Sequence, residues 1–144
     1  MNTALEREKR LEAISLAEAV EVVSLADRVL ETLDVSVSRG PTVGLLMVRV
    51  EEPSERLAFN FAEVTVSEAE VIAGGKRGYA MVLGRQPEKA LAGAILDAAI
   101  EAGHALNDDI QKLLAASLQR DAQRQRDAWA TVAPTAVQFE EMAP

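Results

Sequence analysis

The residues of this chain that could take part in catalysis stand singly along the sequence. There is one histidine, His104, and no cysteine, which excludes thiol nucleophiles, thiolate metal sites and any site needing two imidazoles. His104 follows Gly103 at the predicted end of a helix. It could act as a general base or metal ligand, but we favour a capping role at the helix end. No carboxylate pair or triad stands out, so we predict no catalytic residue and no metal site.

A second group of polar residues lies in a β-rich stretch. Asn60, Glu63 and Thr65 alternate with apolar side chains, in a phase that shifts near Ala62. If the apolar side chains turn inward, the polar ones lie on the surface. They would contact a ligand or a partner there, or form an ordinary solvated strand face, which is the simpler interpretation. We take Asn60 and Glu63 as candidate contact residues.

A third candidate is Arg85, in the turn Gly84-Arg85-Gln86-Pro87 between a predicted strand and a predicted helix. The N-terminus of a helix can bind an anion because its backbone N–H groups have no partners within the helix. An arginine could add a charge-assisted contact. The spacing matches neither phosphate-loop pattern, so an ordinary strand-to-helix turn is the simpler interpretation.

The N-terminal segment, residues 1–34, is predicted to be helical. Residues 3–33 have a helical pattern, in which apolar residues recur at helical spacing from Leu5 to Leu33. Ser15, with Glu18 three residues later, forms a capping-box pattern. We therefore expect two helices that divide near Ser15, the second ending around Asp34.

The middle of the chain, residues 35–84, changes to a strand pattern. Arg39-Gly40-Pro41 indicates a turn, and the nearly continuous apolar run Val43–Val50 indicates a strand buried on both faces. Residues 57–72 fit two strands or one long bent strand, with a bulge near Ala62. A Gly-Gly turn and a returning strand follow, so we expect an antiparallel meander of about four strands.

The C-terminal part, residues 86–130, returns to the helical period. One helix is expected from Pro87 to about Gly103, because proline suits the first helical turn. Another is expected from about Asp108 to Ala128. Its end, residues 119–127, has no apolar stripe, so it projects into solvent or lies on another protein.

The tail, residues 131–144, has no predicted place in the core. Its apolar residues alternate like those of a short strand, which would pair with a sheet edge of this chain or of a partner. The single tryptophan before it either anchors a partner or covers the end of the core. The candidate subunit-interface residues are Trp129, Val137, Phe139 and Met142.

Composition narrows the class of protein. The chain has 144 residues, of which 49% are hydrophobic and 3% aromatic, so we expect one folded domain with an aliphatic core. The net charge of −8 disfavours nucleic acids and anionic membranes as partners. No apolar run reaches the roughly 18–20 residues that span a bilayer, and the N-terminus lacks a secretory signal, so a cytoplasmic location is expected.

The patterns together predict the α+β class. We expect a single domain over residues 1–144, in which an antiparallel sheet of about four strands (35–84) is flanked by the N-terminal helices (1–34) and C-terminal helices (86–130) and followed by an extended C-terminal tail (131–144).

Five segments resemble, in the same order and with similar gaps, the motifs of one known family. They are Gly44–Val50, Phe59–Ser67, Gly78–Arg85, Ala90–Ala99 and Thr135–Met142. The family is the G subunit of the carbon–phosphorus lyase core complex, which bacteria use to take phosphorus from phosphonates. Ala62, Gln86, Gln138 and Glu140 depart from its pattern, which indicates a divergent member.

The resemblance implies a complex with the H, I and J subunits. With an accessory L subunit, the G–H–I part converts MgATP and an alkylphosphonate into a ribose 1-alkylphosphonate 5-triphosphate and releases adenine. The J subunit later breaks the carbon–phosphorus bond. No catalytic residue is known in the family that could be assigned to a position of this chain. The resemblance therefore implies no complete active site and no cofactor here, with MgATP as a substrate of the complex.

Two functions remain as hypotheses. In the first, the chain is a subunit that supports this displacement of adenine. In the alternative, it is a free-standing anion-binding or adaptor domain, in which Arg85 and the following helix N-terminus hold the anion.

Overall fold

Helices form at both ends of the chain and a sheet forms in the middle, as the hydrophobic periodicity predicts. A computed structural model describes residues 5–137, which are the residues discussed below. Within them, no helix combines the length and apolar character needed to cross a bilayer. The elements are α1 (Arg7–Leu16), α2 (Ala19–Leu30), β1 (Val35–Glu51), β2 (Ala58–Ala73), β3 (Lys76–Leu83), α3 (Pro87–Glu101), α4 (Asn107–Val132) and a 3-10 turn (Ala133–Thr135). The predicted α+β class is confirmed.

The three strands form one antiparallel sheet in the order β1–β2–β3. β1 pairs with β2 along its whole length, from Val35 opposite Ala73 to Glu51 opposite Ala58. β3 pairs only with Val66–Ala73 of β2. The hairpin of β1 and β2 therefore extends well beyond the third strand.

The expectation of about four strands is wrong by one, because Arg39-Gly40-Pro41 does not reverse the chain. β2 supplies pairing partners on both sides of this segment, at Val37 and at Thr42. The predicted turn is instead an irregularity in the ladder, with Gly40 at φ 79° and a cis peptide bond before Pro41. Residues 35–51 are therefore one strand rather than two.

The bulge predicted near Ala62 is confirmed. Val48 lies opposite Ala62, whereas Arg49 lies opposite Asn60, which leaves Phe61 as the extra residue. This extra residue explains why the apolar phase of the sequence shifts here, since one added residue exchanges the two faces of a strand.

The capping box predicted at Ser15 is wrong. The hydrogen bond from Ala17 N to Ala13 O, of 2.9 Å, carries the α1 ladder past Ser15. The N-cap residue of α2 is Glu18, whose side chain makes no capping hydrogen bond. Ser15 instead presents its carbonyl oxygen to Lys89 Nζ at 2.7 Å, and burial lowers the pKa of that lysine. α2 ends at Leu30, before the predicted Asp34.

The centre of the core lies between α3 and one face of the sheet, and buried residues of α1, α2 and α4 complete it. α3 is alanine-rich and buried from Lys89 to Ala99, apart from half-buried Leu91. Small side chains allow its backbone to come very close to β3. A Cβ atom added to Gly78 would lie 2.0 Å from Ala94 O, so glycine is required at that position. The tight approach of helix and strand fixes the sheet on the helical layer.

Candidate subunit interface

The part of the β1–β2 hairpin beyond β3 projects from the core. We call residues 45–65 the arm; it consists of the end of β1, a turn and the start of β2. Every residue of the arm is exposed or half-buried. Val66, opposite the last residue of β3, is 6% exposed and marks the point where the covered part of the sheet begins.

The exposed surface of the arm is rich in large apolar side chains. Their exposed fractions are 67% for Leu45, 44% for Leu46, 48% for Met47, 46% for Phe59 and 67% for Phe61. Monomeric proteins seldom leave a contiguous surface of this kind in water, and such patches mark binding sites. The arm is therefore the strongest candidate for a contact with another molecule.

One sequence prediction and one assumption fail at the arm. The predicted strand Val43–Val50 is not buried on both faces, and Phe59 and Phe61, which were assumed to turn inward, do not enter the core of this chain. The strand pattern is confirmed, but the helical layer covers only the part of the sheet that contains β3, so the side chains of the arm stay exposed. The sequence does carry one sign of this, because the returning strand predicted after the Gly-Gly turn, Gly78–Leu83, has six residues and could not pair with all of 57–72 if these formed one strand.

The register divides the arm into two faces, because directly opposed residues of an antiparallel pair point to the same side. One face is wholly apolar, and we call it the apolar face. It is formed by the pairs Leu46–Val64, Val48–Ala62 and Val50–Phe59. The opposite face, which we call the mixed face, is formed by the pairs Leu45–Thr65, Met47–Glu63 and Arg49–Asn60.

Asn60 and Glu63, the two candidate contact residues of the arm, both lie on the mixed face. Both are exposed. Neither side chain forms a hydrogen bond or ion pair with another residue in the described range 5–137. The structure thus leaves them free for the contact that the sequence proposes. They lie beside Leu45 and Met47, which have no polar group that would mark them as contact residues in the sequence.

The tip of the arm is acidic and locally ordered. Glu52 accepts hydrogen bonds from the backbone N–H groups of Ser54 at 2.7 Å and Glu55 at 2.8 Å. The bond from Glu55 and then those from Ser54 lower the pKa of the Glu52 carboxyl. Glu51 Oε1 lies 2.9 Å from Arg56 Nε. The tip is therefore a defined turn in which the ionised form of Glu52 is favoured.

Arg85 lies at the base of the arm. Gly84 N, in the residue before it, donates a 2.7 Å hydrogen bond to Thr65 O. The hydroxyl of buried Ser67 donates to Gly84 O at 2.8 Å and accepts from Gln86 N at 2.7 Å. Ser67 thereby fastens the strand-to-helix turn, which agrees with its simpler structural interpretation. Arg85 itself is exposed.

The end of α4 is a second surface outside the core. The last buried residue of this helix is Ser117, and from Gln119 the side chains are exposed except half-buried Asp121. Arg120 joins Glu21 of α2 at 2.6 Å, and hydrogen bonds within the helix occupy most of the polar groups that follow. Such pairs stabilise a helix in water without an apolar stripe.

Trp129 and Val137 are accessible to a partner. Trp129 is 67% exposed, and Val137 is 73% exposed, so neither covers the end of the core. Phe139 and Met142, the other two candidates of this group, lie outside the described residues. An exposed tryptophan near the end of α4 is the kind of side chain that dominates binding energy at interfaces.

The polar groups with potential for chemistry are engaged in the fold. His104 Nδ1 accepts from Leu106 N at 3.1 Å, and its Nε2 lies 2.8 Å from Thr32 Oγ1. Asp97 is fully buried and paired with two arginines. Within residues 5–137, no three of the residue types His, Cys, Asp and Glu are grouped to hold a metal ion. One open groove of about 440 Å³ there contains Asp27 and Glu88, which would repel a polyphosphate.

A comparison with protein families shows which family the chain belongs to. The family model of the phosphonate metabolism protein PhnG matches residues 5–143. The chain belongs to the PhnG family. It therefore has a role in phosphonate metabolism as the G subunit of carbon–phosphorus lyase, and the resemblance found in the sequence motifs is confirmed. No curated protein matches the chain.

Proposed function

We propose that this chain is an assisting subunit in the displacement of adenine from MgATP by an alkylphosphonate. The product of the complex would be a ribose 1-alkylphosphonate 5-triphosphate. MgATP is then a substrate of the assembled complex, which works in the cytoplasm and contains the H, I and J subunits. The reacting groups are supplied by other subunits, and this chain contributes the surfaces that complete the assembly.

One observation carries this proposal beyond the family assignment: the arm presents apolar side chains on both faces. Leu46 on the apolar face and Leu45 on the mixed face are 44% and 67% exposed. A chain that acted alone would gain nothing from this surface and would risk aggregation through its strand edges. In a permanent complex the same side chains form an interface, and their burial drives association.

The arrangement of polar groups is consistent with an assisting role. Displacement of adenine needs an activated phosphonate oxygen, charge neutralisation around the triphosphate and a proton donor for the leaving base. His104 and Asp97 are held by neighbouring residues of the fold. The net charge of −8 also makes binding of a polyanion unfavourable unless basic residues of a partner adjoin this chain.

The decisive experiment is reconstitution. The H, I and J subunits are co-expressed with or without this chain, combined with the accessory L subunit, and supplied with MgATP and methylphosphonate. We expect this chain to co-purify with the complex and adenine release to require it. A reaction without phosphonate measures background hydrolysis. Adenine release by this chain alone, or full activity without it, would contradict the assisting role.

The alternative function is tested on the isolated chain. An anion site at Arg85 predicts calorimetric binding of phosphate or methylphosphonate that Arg85→Ala abolishes. Gln86 N, one of the backbone donors of that turn, is already bound to Ser67 Oγ at 2.7 Å. We therefore expect no heat of binding, and a saturable signal that depends on Arg85 would favour the anion-binding function.

A further inference from the structure

The arm needs covering on two sides. Leu46, Val48 and Phe59 lie on one face, and Leu45 and Met47 lie on the other. A flat partner surface covers only one side of a ribbon and leaves the other in water. A two-stranded ribbon is also marginally stable by itself, so its ordered form gains from a matching surface around it. A partner surface that covers both faces of the arm must therefore have the shape of a cleft.

The charge of the arm indicates what surrounds its tip. The arm has four acidic residues and two arginines, a net charge of −2, and the formal charge of the whole chain is −8. The acidic residues Glu51, Glu52 and Glu55 lie at the tip, where only Arg56 is basic. Two copies of this chain would bring like charges together at this point. A basic surface on a different chain complements the tip.

We propose that the arm is inserted into an apolar cleft of one other subunit, whose innermost part is lined by lysine or arginine. This inference rests on the proposed function, because the occupant is a member of the same complex. The walls of the cleft cover the apolar and mixed faces, and the basic residues contact Glu55 and the ordered carboxylates of the turn. Insertion of the arm fixes the position of this subunit in the complex.

The apolar part of the proposal is tested with one substitution on each face. Leu46→Asp changes the apolar face and Leu45→Asp the mixed face, while Leu30→Asp on α2 is the matched control, because Leu30 is 46% exposed. The affinity of each variant for the co-expressed partner subunits is measured with those subunits immobilised on a surface. Each arm variant is expected to bind about 30-fold more weakly, as loss of an interface hot spot does, and the control within about threefold of wild type.

Thermal melting of each free variant shows whether it folds. All three positions are exposed, so the melting temperatures should stay close to that of the wild type. Leu46→Ser and Leu45→Ser replace the aspartates if a charged side chain disturbs the hairpin. The serine variants remove the same apolar contacts and must also weaken binding.

The charge part is tested with Glu55→Gln at the tip and Glu31→Gln, an exposed residue at the end of α2, as control. Binding by the wild type should weaken as salt is raised, because salt screens the basic residues of the cleft. Glu55→Gln should weaken binding at low salt and reduce this salt dependence. Glu31→Gln should change neither.

The outcomes separate this inference from the proposed function. If the wild-type chain enters the complex and both arm variants bind normally, the arm is not the docking element, although the proposed function stands. If Leu46→Asp and Leu45→Asp weaken binding to two different subunits, the proposal of a single cleft is wrong. It is also wrong if the free chain dimerises through the arm. If the wild-type chain joins no subunit, the proposed function fails.

Discussion

Asp97 shows how single residues hold the helical layer to the sheet. Its Oδ2 lies 2.8 Å from Arg7 Nη2 and accepts from Tyr79 N at 3.0 Å. Its Oδ1 lies 3.0 Å from Arg10 Nε in an ion pair whose alignment falls short of a hydrogen bond. The bond with Asp97 raises the pKa of the Arg7 guanidinium. One carboxylate on α3 thereby fastens both α1 and β3.

Asp97→Asn should destabilise the chain by about 3 kcal/mol, because it leaves buried Arg10 without its full negative counterpart. Glu101 also pairs with Arg10, which limits the loss. Asp109→Asn is the control, because its ion pair with Arg28 is on the surface and contributes at most about 1 kcal/mol. Urea unfolding measures the free energy of unfolding of both variants. Equal losses would show that Asp97 contributes no more to stability than a surface ion pair.

At the scale of elements, the close approach of α3 to β3 determines which face of the sheet is buried. Ala69 and Val71 of β2 face the helix and are fully buried, whereas Glu68 and Glu70 alternate with them on the opposite face and are half-buried. The helical layer covers the three-stranded region but not the arm. The length difference between β3 and the other two strands thus creates the exposed surface.

Gly78→Ala tests this approach. The added Cβ would meet Ala98 N at 2.5 Å as well as the carbonyl oxygen of Ala94, both rigid backbone atoms, so the helix must move away from the strand. We expect a loss of about 1–3 kcal/mol in the free energy of unfolding. Gly44→Ala in β1 is the control, because nothing lies within 4 Å of its added Cβ. It should change stability by less than about 0.5 kcal/mol, as surface substitutions do.

At the scale of the whole molecule, two surfaces extend past the core: the arm and the end of α4. Both remain in water in the free chain, and both contain residues typical of interfaces. The polar end of α4 keeps its helical form through its own side-chain pairs and offers Trp129, which is 67% exposed. A molecule with these two surfaces is suited to contact neighbouring chains through parts that lie outside its own core.

Because Trp129 is the only tryptophan, its fluorescence reports on one of these surfaces. The free chain should emit as a solvent-exposed indole and be readily quenched by acrylamide. On binding to the other subunits, the emission should move to shorter wavelength and quenching should fall, because a partner excludes water from the ring. Trp129→Phe identifies the signal of this chain against tryptophans in the partners. Unchanged emission and quenching in the complex would exclude Trp129 from the interface.

The sequence by itself determined the kinds of elements and the family. α3 begins at Pro87 and α4 is close to the range expected, because proline position and helical periodicity are local signals. The bulge near Ala62 was also readable, since an added residue shifts the alternation of the side chains around it. The ordered motifs identified the family because they follow one another in the same order from Gly44 to Met142.

Only the tertiary structure decided which apolar residues are covered and which polar residues meet. An apolar pattern such as Val43–Val50 records that side chains leave water, but not whether the covering surface belongs to the same chain. The pairing of Arg7 with Asp97 joins residues 90 positions apart, which no local spacing reveals. Hydrophobic burial is non-directional, so it favours the removal of these side chains from water without selecting the surface that covers them. The lengths and packing of the elements select that surface.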